Sequence, residues 1–244
     1  IEKQEFQVFY QPVVYAKTGK IVSSEALVRW FHEQKGFISP GQFIPALEKG
    51  GYISELDRYM IEKVTGCLDQ RRAEKKRFVP VSVNLSWMDF YDENMLEWIV
   101  RGLKKNNPNE QKIRFEITET SLAAIGENHT RMLMHLKENG AEILLDDFGS
   151  GYSSFGMLQD YDFDILKMDI SFVRNIGVNK KSESILRAII DMAHQLEIRL
   201  VAEGAETEEQ VAFLRANGCD YIQGYYYYKP MPENEFLQLL DEGK

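Results

Sequence analysis

The stretch "KIRFEITET" at 112–120 has two faces. At the period of two that a strand imposes, Ile113, Phe115 and Ile117 fall on one side, and Arg114, Glu116 and Thr118 on the other. The same alternation runs through "VSVN" at 81–84, where Val81 and Val83 oppose Ser82 and Asn84. In a closed barrel the outward face of each strand meets the helices, so the polar set points inward. "SSEALVRW" at 23–30 fits the pattern, with Ser23, Glu25, Leu27 and Arg29 on one side and Ser24, Ala26, Val28 and Trp30 on the other. For that strand alone a solvated face would explain the charges. The rest of the chain has to decide.

Working outward, "FQVFYQPVV", the turn "YAKTGK" and the strand holding Glu25 have the spacing of an antiparallel hairpin. "SPGQFIPALEKGG" carries a helix start at Ser39 and Pro40 and a glycine stop, and apolar residues recur at helical spacing from Ser54 to Lys76. Strand and helix then alternate. "VPVSVNLS" precedes a helix at 92–105, and "KIRFEITET" a helix at 127–139. "AEILLDDFG" and "DILKMDI" are joined by a glycine and serine loop and a short helical stretch. A helix at 182–197, "RLVAEGAE", a helix at 207–217, "DYIQGYYYY" and a closing helix at 233–240 follow. Six such units after the opening pair give eight strands, and 244 residues is close to the roughly 250 typical of a (βα)8 barrel. The expectation is an α/β, TIM-like barrel, with an open doubly wound sheet as the alternative.

With 44% hydrophobic and 27% charged residues, the chain can bury one large core, read as a single domain over 1–244. It begins at Ile1 rather than Met and soon enters a strand, as expected of a domain excised from a longer protein. No apolar run reaches the roughly 18 residues that span a bilayer, and no signal-peptide pattern opens the chain. Two distant cysteines, Cys67 and Cys219, form no CxxC pair. A reducing cytoplasm is expected, with any membrane anchor or upstream sensor outside this chain. The net charge of −9 argues against a nucleic-acid surface and for no DNA or RNA partner. The basic run "RRAEKKR" at 71–77 reads as a solvated helix end or, alternatively, a phosphate-binding patch.

Almost every strand ends in an ionisable or amide group, where barrel enzymes assemble their sites. The later strands deliver Asp146, Lys167 with Asp169, Glu203 and Gln223. Glu25, Glu116, Asp146, Asp147 and Glu203 could not stay ionised together in a closed pocket. A divalent cation removes the conflict, and an all-oxygen donor set that includes the Asn84 amide favours Mg2+ or Mn2+. The histidines His32, His129, His135 and His194 sit outside the strand ends, which argues against zinc. Asp147 either joins Asp146 in holding metal or caps the following helix. Lys167 is either a counter-ion or a group that positions or deprotonates a water. The "FGSGYSS" loop at 148–154 reads as a flexible lid more than a phosphate cradle.

In order, "YQP", "EALVRW", "FIPALE", "NLS", "FEITET", "DDFGSGYSS", "DILKMD", "VAEGAE" and "QGYYYYKPMP" span almost the whole chain. The ensemble resembles the EAL-domain family, bacterial cyclic di-GMP phosphodiesterases whose name is spelled by Glu25, Ala26 and Leu27. The resemblance implies a barrel whose first strand runs against the others. It implies two Mg2+ or Mn2+ ions, one held by Glu25, Asn84, Glu116 and Asp146. Asp146 would bridge to a second ion held by Asp147 and approached by Glu203. Lys167 matches the lysine that holds the attacking water, and Glu119 the glutamate that anchors the loop containing Ser150. Glu206 and Gln223 match the site's remaining acidic and amide positions, and Gln11 and Arg29 match residues that contact the dinucleotide.

The activity implied is hydrolysis of one phosphodiester bond of cyclic di-GMP to linear 5′-pGpG by in-line attack of water between two metals. Family members often pair, so a homodimer is a further expectation. Ser150 replaces the usual threonine, Asp89 stands where glutamine is common after "NLS", and Tyr228 where a small residue is common. None removes a metal ligand. The rival readings are a non-enzymatic cyclic di-GMP receptor of the same fold, an interaction scaffold, and an unrelated metal barrel enzyme acting on carbon acids.

Overall fold

A computed structural model describes residues 1–105, 113–124, 130–151 and 154–243. The chain runs β1 (Phe6–Tyr15), β2 (Ile21–His32), β3 (Gly36–Ile38), α1 (Pro40–Gly50), α2 (Ile53–Ala73), β4 (Val81–Asn84), α3 (Glu93–Lys105), β5 (Ile113–Thr118), α4 (Glu119–Ala124), α5 (Thr130–Glu138), β6 (Glu142–Phe148), α6 (Ser154–Asp160), β7 (Ile165–Met168), α7 (Ile170–Arg174), α8 (Lys180–Gln195), β8 (Arg199–Glu203), α9 (Glu208–Ala216), β9 (Tyr221–Gln223), β10 (Met231–Pro232) and α10 (Glu233–Asp241). A 3-10 turn, Trp87–Tyr91, lies between β4 and α3.

Eight strands close a ring in the order β1, β2, β4, β5, β6, β7, β8, β9 and back to β1. The first strand is antiparallel to both neighbours, pairing Gln11 with Glu25 on β2 and Val14 with Ile222 on β9, and the remaining pairs of the ring are parallel. This is the TIM-like barrel with an inverted first strand; closure rules out the open sheet. The short β3 and β10 extend β2 and β1 beyond the ring, and the sequence pattern does not reveal them.

Strand parity divides the core. Phe115, Ile117, Leu145, Leu166 and Leu200 point outward into the large cluster shared with the helices. Val13, Leu144, Ile165 and Val201 meet inside the barrel, with Tyr221 packed on them. Two residues further towards the mouth, the same strands present Gln11, Asp146, Lys167, Glu203 and Gln223. An apolar floor therefore lies directly beneath a polar layer. Burying each floor side chain is worth roughly 2 kcal/mol, and its dryness raises the cost of ionising the layer above.

Helix boundaries follow their caps. The Asn179 side chain accepts from Lys181 N and Ser182 N, so α8 starts two residues before the periodicity suggests. Thr207 and Gln210 form a capping box that starts α9, and Gly51, at φ 75°, stops α1. The short α4 was not anticipated; Thr118 Oγ1 accepts from Ser121 N at 3.1 Å and turns the end of β5 directly into helix. The helix expected at 127–139 is described from Thr130 to Glu138, and its expected start, with His129, lies outside the described residues.

The expected strand "DYIQGYYYY" is corrected to a three-residue strand followed by a turn. Tyr227 and Tyr228 N–H return to the Gly224 carbonyl at 3.1 and 3.0 Å. A Cβ on Gly224 would lie 2.2 Å from Ala205 O, so only glycine lets the chain bend there. In the basic run, Arg71 pairs with Asp241, Arg72 with Asp69 and Lys76 with Glu74, as suits a helix end rather than a phosphate patch.

Candidate active site

Lys167, on β7, is buried at the centre of the polar layer. Its Nζ lies 2.5 Å from Glu116 Oε2, 2.7 Å from Glu203 Oε1, 3.1 Å from Glu25 Oε2 and 3.2 Å from Asp146 Oδ1. Four strands, β2, β5, β6 and β8, thus send a carboxylate to one ammonium. Ser82, beneath, gives its hydroxyl to Glu116 Oε1. Gln223 Nε2 reaches Glu25 Oε2 at 2.7 Å and Gln11 Oε1 at 3.2 Å, and the Asn84 amide reaches Glu25 Oε1 at 3.3 Å.

Adjacent strand residues normally point to opposite faces, yet Asp146 and Asp147 bring their carboxylates together. The strand does not end at Asp146. It runs to Phe148 with a break in register against β7 between Leu145 and Phe148, and Asp147 sits at φ 55°. Such a left-handed residue costs about 1 kcal/mol, and aspartate tolerates it better than most. The bulge turns both carboxylates to one side, and oxygens of Asp146, Asp147 and Glu203 come within 4.8 Å of one another. The Asp147 carbonyl accepts from Ser150 N at 3.0 Å, and the residues that lead into α6 lie outside the described ones. Asp169 is a cap, accepting from Ser171 N at the start of α7.

The electrostatics carry the tension expected of this composition. Burial works against the charge of Lys167, but Asp146, Glu116, Glu203 and Glu25 outweigh it and hold the ammonium well above the ordinary lysine range. Burial pushes Glu25 up, but Lys167 and the amide of Gln223 bring it below its usual value. Burial and then Glu25 drive Glu116 well up, and burial also raises Asp146. Burial, with Asp146 beside it, takes Asp147 to about 6, and burial takes Glu203 to about 8. One ammonium cannot compensate five carboxylates, and a divalent cation among these oxygens would. Among the described residues, the group able to hold a metal is Asp146, Asp147 and Glu203, with no histidine in it.

Two cavities open on the layer. One, of about 350 Å3, is lined by Glu25, Arg29, Asn84, Asp146 and Asp147, with Asp57 and Ser86 in its wall. Arg29 stands on its rim, with Nη1 on the Val28 carbonyl at 2.9 Å and its guanidinium 5.8 Å from the Phe9 ring. The other, of about 320 Å3, is lined by Gln11, Lys167, Glu203, Glu206 and Gln223, and also by Ile170, Arg174 and Tyr225, which sequence reasoning missed. The i, i+4 spacing of Ile170 and Arg174 just after the β7 strand could have marked them. Tyr225 lines this cavity, whereas Tyr228 packs on the core and offers its carbonyl to Gln11 Nε2 at 3.2 Å.

Glu119, buried at the start of α4, accepts from Gly149 N at 3.2 Å and Gly151 N at 3.4 Å through Oε2. Ser150 lies exposed between them. Tyr152 and Ser153 of the same loop lie outside the described residues. Asp89 is buried and closes the capping box of the 3-10 turn with Ser86. The histidines His32, His135 and His194 line neither cavity.

Comparison with known proteins gives this geometry a lineage. The chain is 37% identical over 232 residues to an uncharacterized signaling protein of Caulobacter vibrioides, covering 95% of this chain and 28% of that one. It is 32% identical over 240 residues to the probable cyclic di-GMP phosphodiesterase PdeG of Escherichia coli, covering 98% of this chain and 47% of that protein. The chain therefore spans less than half the length of either relative. The solved structure of the PaMucR phosphodiesterase in complex with c-di-GMP superposes with a TM-score of 0.88 at 31% identity, over 96% of this chain and 95% of that one. The family model described as EAL domain matches residues 1–230, and the chain belongs to that family.

Proposed function

We propose that this domain hydrolyses one phosphodiester bond of cyclic di-GMP to give linear 5′-pGpG. The observation that carries the reading is the ring of Glu25, Glu116, Asp146 and Glu203 around Lys167, with Asp147 turned to the same side by the bulge. The relatives' names and the cyclic di-GMP in a neighbouring structure support the substrate.

The oxygen-only donor set and the crowding of carboxylates fit two Mg2+ or Mn2+ ions. Glu25, Asn84, Glu116 and Asp146 would hold one, and Asp146, Asp147 and Glu203 the other. Divalent ions there would lower the pKa of bound water and stabilise charge developing on the phosphoryl and leaving oxygens. The protein's own groups orient the reaction. Lys167, kept protonated by its carboxylates, donates hydrogen bonds to the attacking water and holds it rather than taking its proton. The water oxygen bonds to phosphorus, the P–O3′ bond breaks, and the 3′ oxygen ends as a hydroxyl. Arg29 offers a charge-assisted contact to a substrate phosphate. Gln11, Gln223 and Glu206 line the other side and present amide and carboxylate groups to the nucleotide. Glu119 steadies the loop bearing Ser150. The domain acts in this reading as the cytoplasmic output module of a longer protein, under sensor domains outside this chain, with pairing of two copies as a route of control. Among the described residues, no helix is long and apolar enough to cross a membrane.

The test is incubation of the domain with cyclic di-GMP and Mg2+ or Mn2+, beside chelator and Lys167→Ala controls, with nucleotides resolved by chromatography. Metal-dependent pGpG, lost in both controls, is expected. Saturable binding of intact cyclic di-GMP without product would make the domain a receptor and overturn the enzymatic reading.

A further inference from the structure

Two buried carboxyl groups lie outside the Lys167 ring. Asp57, on α2, is 8% exposed, and Asp89, in the turn after β4, is 0% exposed. Both accept from one donor, the Ser86 backbone N–H, Asp89 Oδ2 at 2.9 Å and Asp57 Oδ2 at 3.2 Å. Sharing that donor holds the two Oδ2 atoms side by side in one buried pocket. Two ionised carboxylates converging there would repel each other away from water, and a proton held between them turns that repulsion into a hydrogen bond. Without it, Asp89 Oδ1 is buried with no partner, and two negative charges share one dry pocket.

The surroundings do not supply a balancing charge at close range. Glu48, from α1, acts on Asp57, and Asp92, after the turn, acts on Asp89; both are acidic. The Ser54 hydroxyl from α2 favours the charged form of Asp89. Arg58, next to Asp57, is directed instead at the Trp98 ring, 4.8 Å away. From β2, Arg29 lines the same cavity as Asp57, with its guanidinium on the Val28 carbonyl and near the Phe9 ring.

Ser86 lies two residues beyond Asn84. The link between them, Leu85, gives its N–H to the Glu116 carbonyl at 2.8 Å. The backbone from Asn84 to Ser86 is thus pinned by β5 on one side and by the acid pair on the other. We propose that Asp57 and Asp89 share one proton and, through Ser86, act as positioning residues that set Asn84 for a divalent ion. A glutamine at position 89 would donate its own hydrogen; aspartate makes the same bond conditional on a proton. The positioning half of the inference rests on the metal-centre reading, and the shared proton does not.

Two measurements on the whole chain test it. In Mn2+ titration calorimetry near neutral pH, Asp89→Ala is expected to bind roughly tenfold more weakly than wild type. Asp89→Asn, whose amide can donate to Asp57 with no shared proton, is expected to stay within about twofold. In denaturant unfolding of the metal-free chain from about pH 5 to 8, the unfolding constant of wild type should rise relative to Asp89→Asn by up to about tenfold per pH unit. The folded pair keeps a proton that the separate aspartates of the unfolded chain release. Contributions from Glu203 and Asp147 are common to both proteins and cancel. If Asp89→Ala does not fold, Asp57→Ala, which leaves the Ser86–Asp89 capping box in place, takes over its arm. Wild-type Mn2+ affinity in the alanine variant overturns the positioning role. Equal pH slopes in the metal-free chain overturn the shared proton. A wild-type chain that binds no Mn2+ overturns the positioning role and the proposed metal centre together, and the unfolding slopes still decide the proton.

Discussion

The Glu119 carboxylate fills the space that a side chain on Gly151 would need: a Cβ there would lie 2.7 Å from Glu119 Oε1. The same carboxylate accepts the Gly149 and Gly151 N–H groups. The constraint on the glycine is thus this close approach and not a positive φ, and the contact fastens the segment after Asp147 to the start of α4. Gly151→Ala is expected to push the carboxylate away and lower kcat/KM for cyclic di-GMP roughly ten- to a hundredfold, with the melting temperature little changed. Steady-state kinetics beside a thermal melt checks it; undiminished turnover would separate this contact from catalysis.

The raised Glu203 fixes the sign of a pH effect. Its ordinary value of 4.5 is pushed to about 8 by burial, so the folded metal-free domain holds a proton that the unfolded chain has given up in between. The stability this contributes is complete below about 4.5 and disappears as pH rises through about 8, at up to about 1.4 kcal/mol per pH unit. Asp147, pushed from 3.8 to about 6, adds the same trend in a lower window. Unfolding in chelator should become easier from pH 5 to 8. Over the same range Mg2+ or Mn2+ should bind more tightly and release protons, which calorimetry in two buffers of different ionisation enthalpy would count.

Stability and activity should part at Arg71. Its guanidinium, 4% exposed, grips Asp241 with both Nη atoms at 3.1 and 2.5 Å and also donates to the Arg77 carbonyl, tying α10 to α2 on the flank of the barrel. Arg71→Ala removes both contacts and releases the last helix, at an expected cost of about 2 kcal/mol. Turnover at a temperature where the variant stays folded should match wild type. A fall in kcat with an unchanged melt would mean that the α10 latch acts on the site.

Much of this organisation is legible in the chain because strand parity is a strict code. Once Phe115 faces the helices, Glu116 must face the interior, and the alternation of Val81 and Val83 with Ser82 and Asn84 says the same of the next strand. The barrel and four of the five clustered carboxylates, Glu25, Glu116, Asp146 and Glu203, follow from that rule. What parity cannot express is a local break in it. Asp147 joins Asp146 only because a bulge and a left-handed backbone interrupt the alternation, and no residue type announces that. The tyrosine run misled for the opposite reason: its side chains suit a strand, but Gly224 meets Ala205, far away in sequence, and the chain turns. The Asp57–Asp89 pair joins residues 32 apart on separate elements, so neither aspartate on its own signals the other.

Lys167 is the point at which fold stability and chemistry oppose each other. Its ammonium is the positive charge that the ring of Glu25, Glu116, Asp146 and Glu203 encloses, and burial there would be untenable for those acids without it. Lys167→Met keeps an unbranched apolar stem of nearly the same length and removes the charge. Removing one partner of a buried ionic cluster typically costs about 3 kcal/mol or more, and the metal-free variant should lose that stability above about pH 6, where the acids must otherwise ionise. Below that the carboxyl groups can take up protons and the deficit should shrink. Mn2+ supplies positive charge to the same oxygens, so it should raise the melting temperature of Lys167→Met by more than that of wild type. Activity should nonetheless stay at least about a hundredfold down, because restored charge does not restore a donor to the attacking water. Thermal melts with and without Mn2+ at two pH values, beside product analysis, separate the two roles. Full activity in the metal-stabilised variant would reduce Lys167 to a counter-ion and transfer the handling of water to other groups at the mouth.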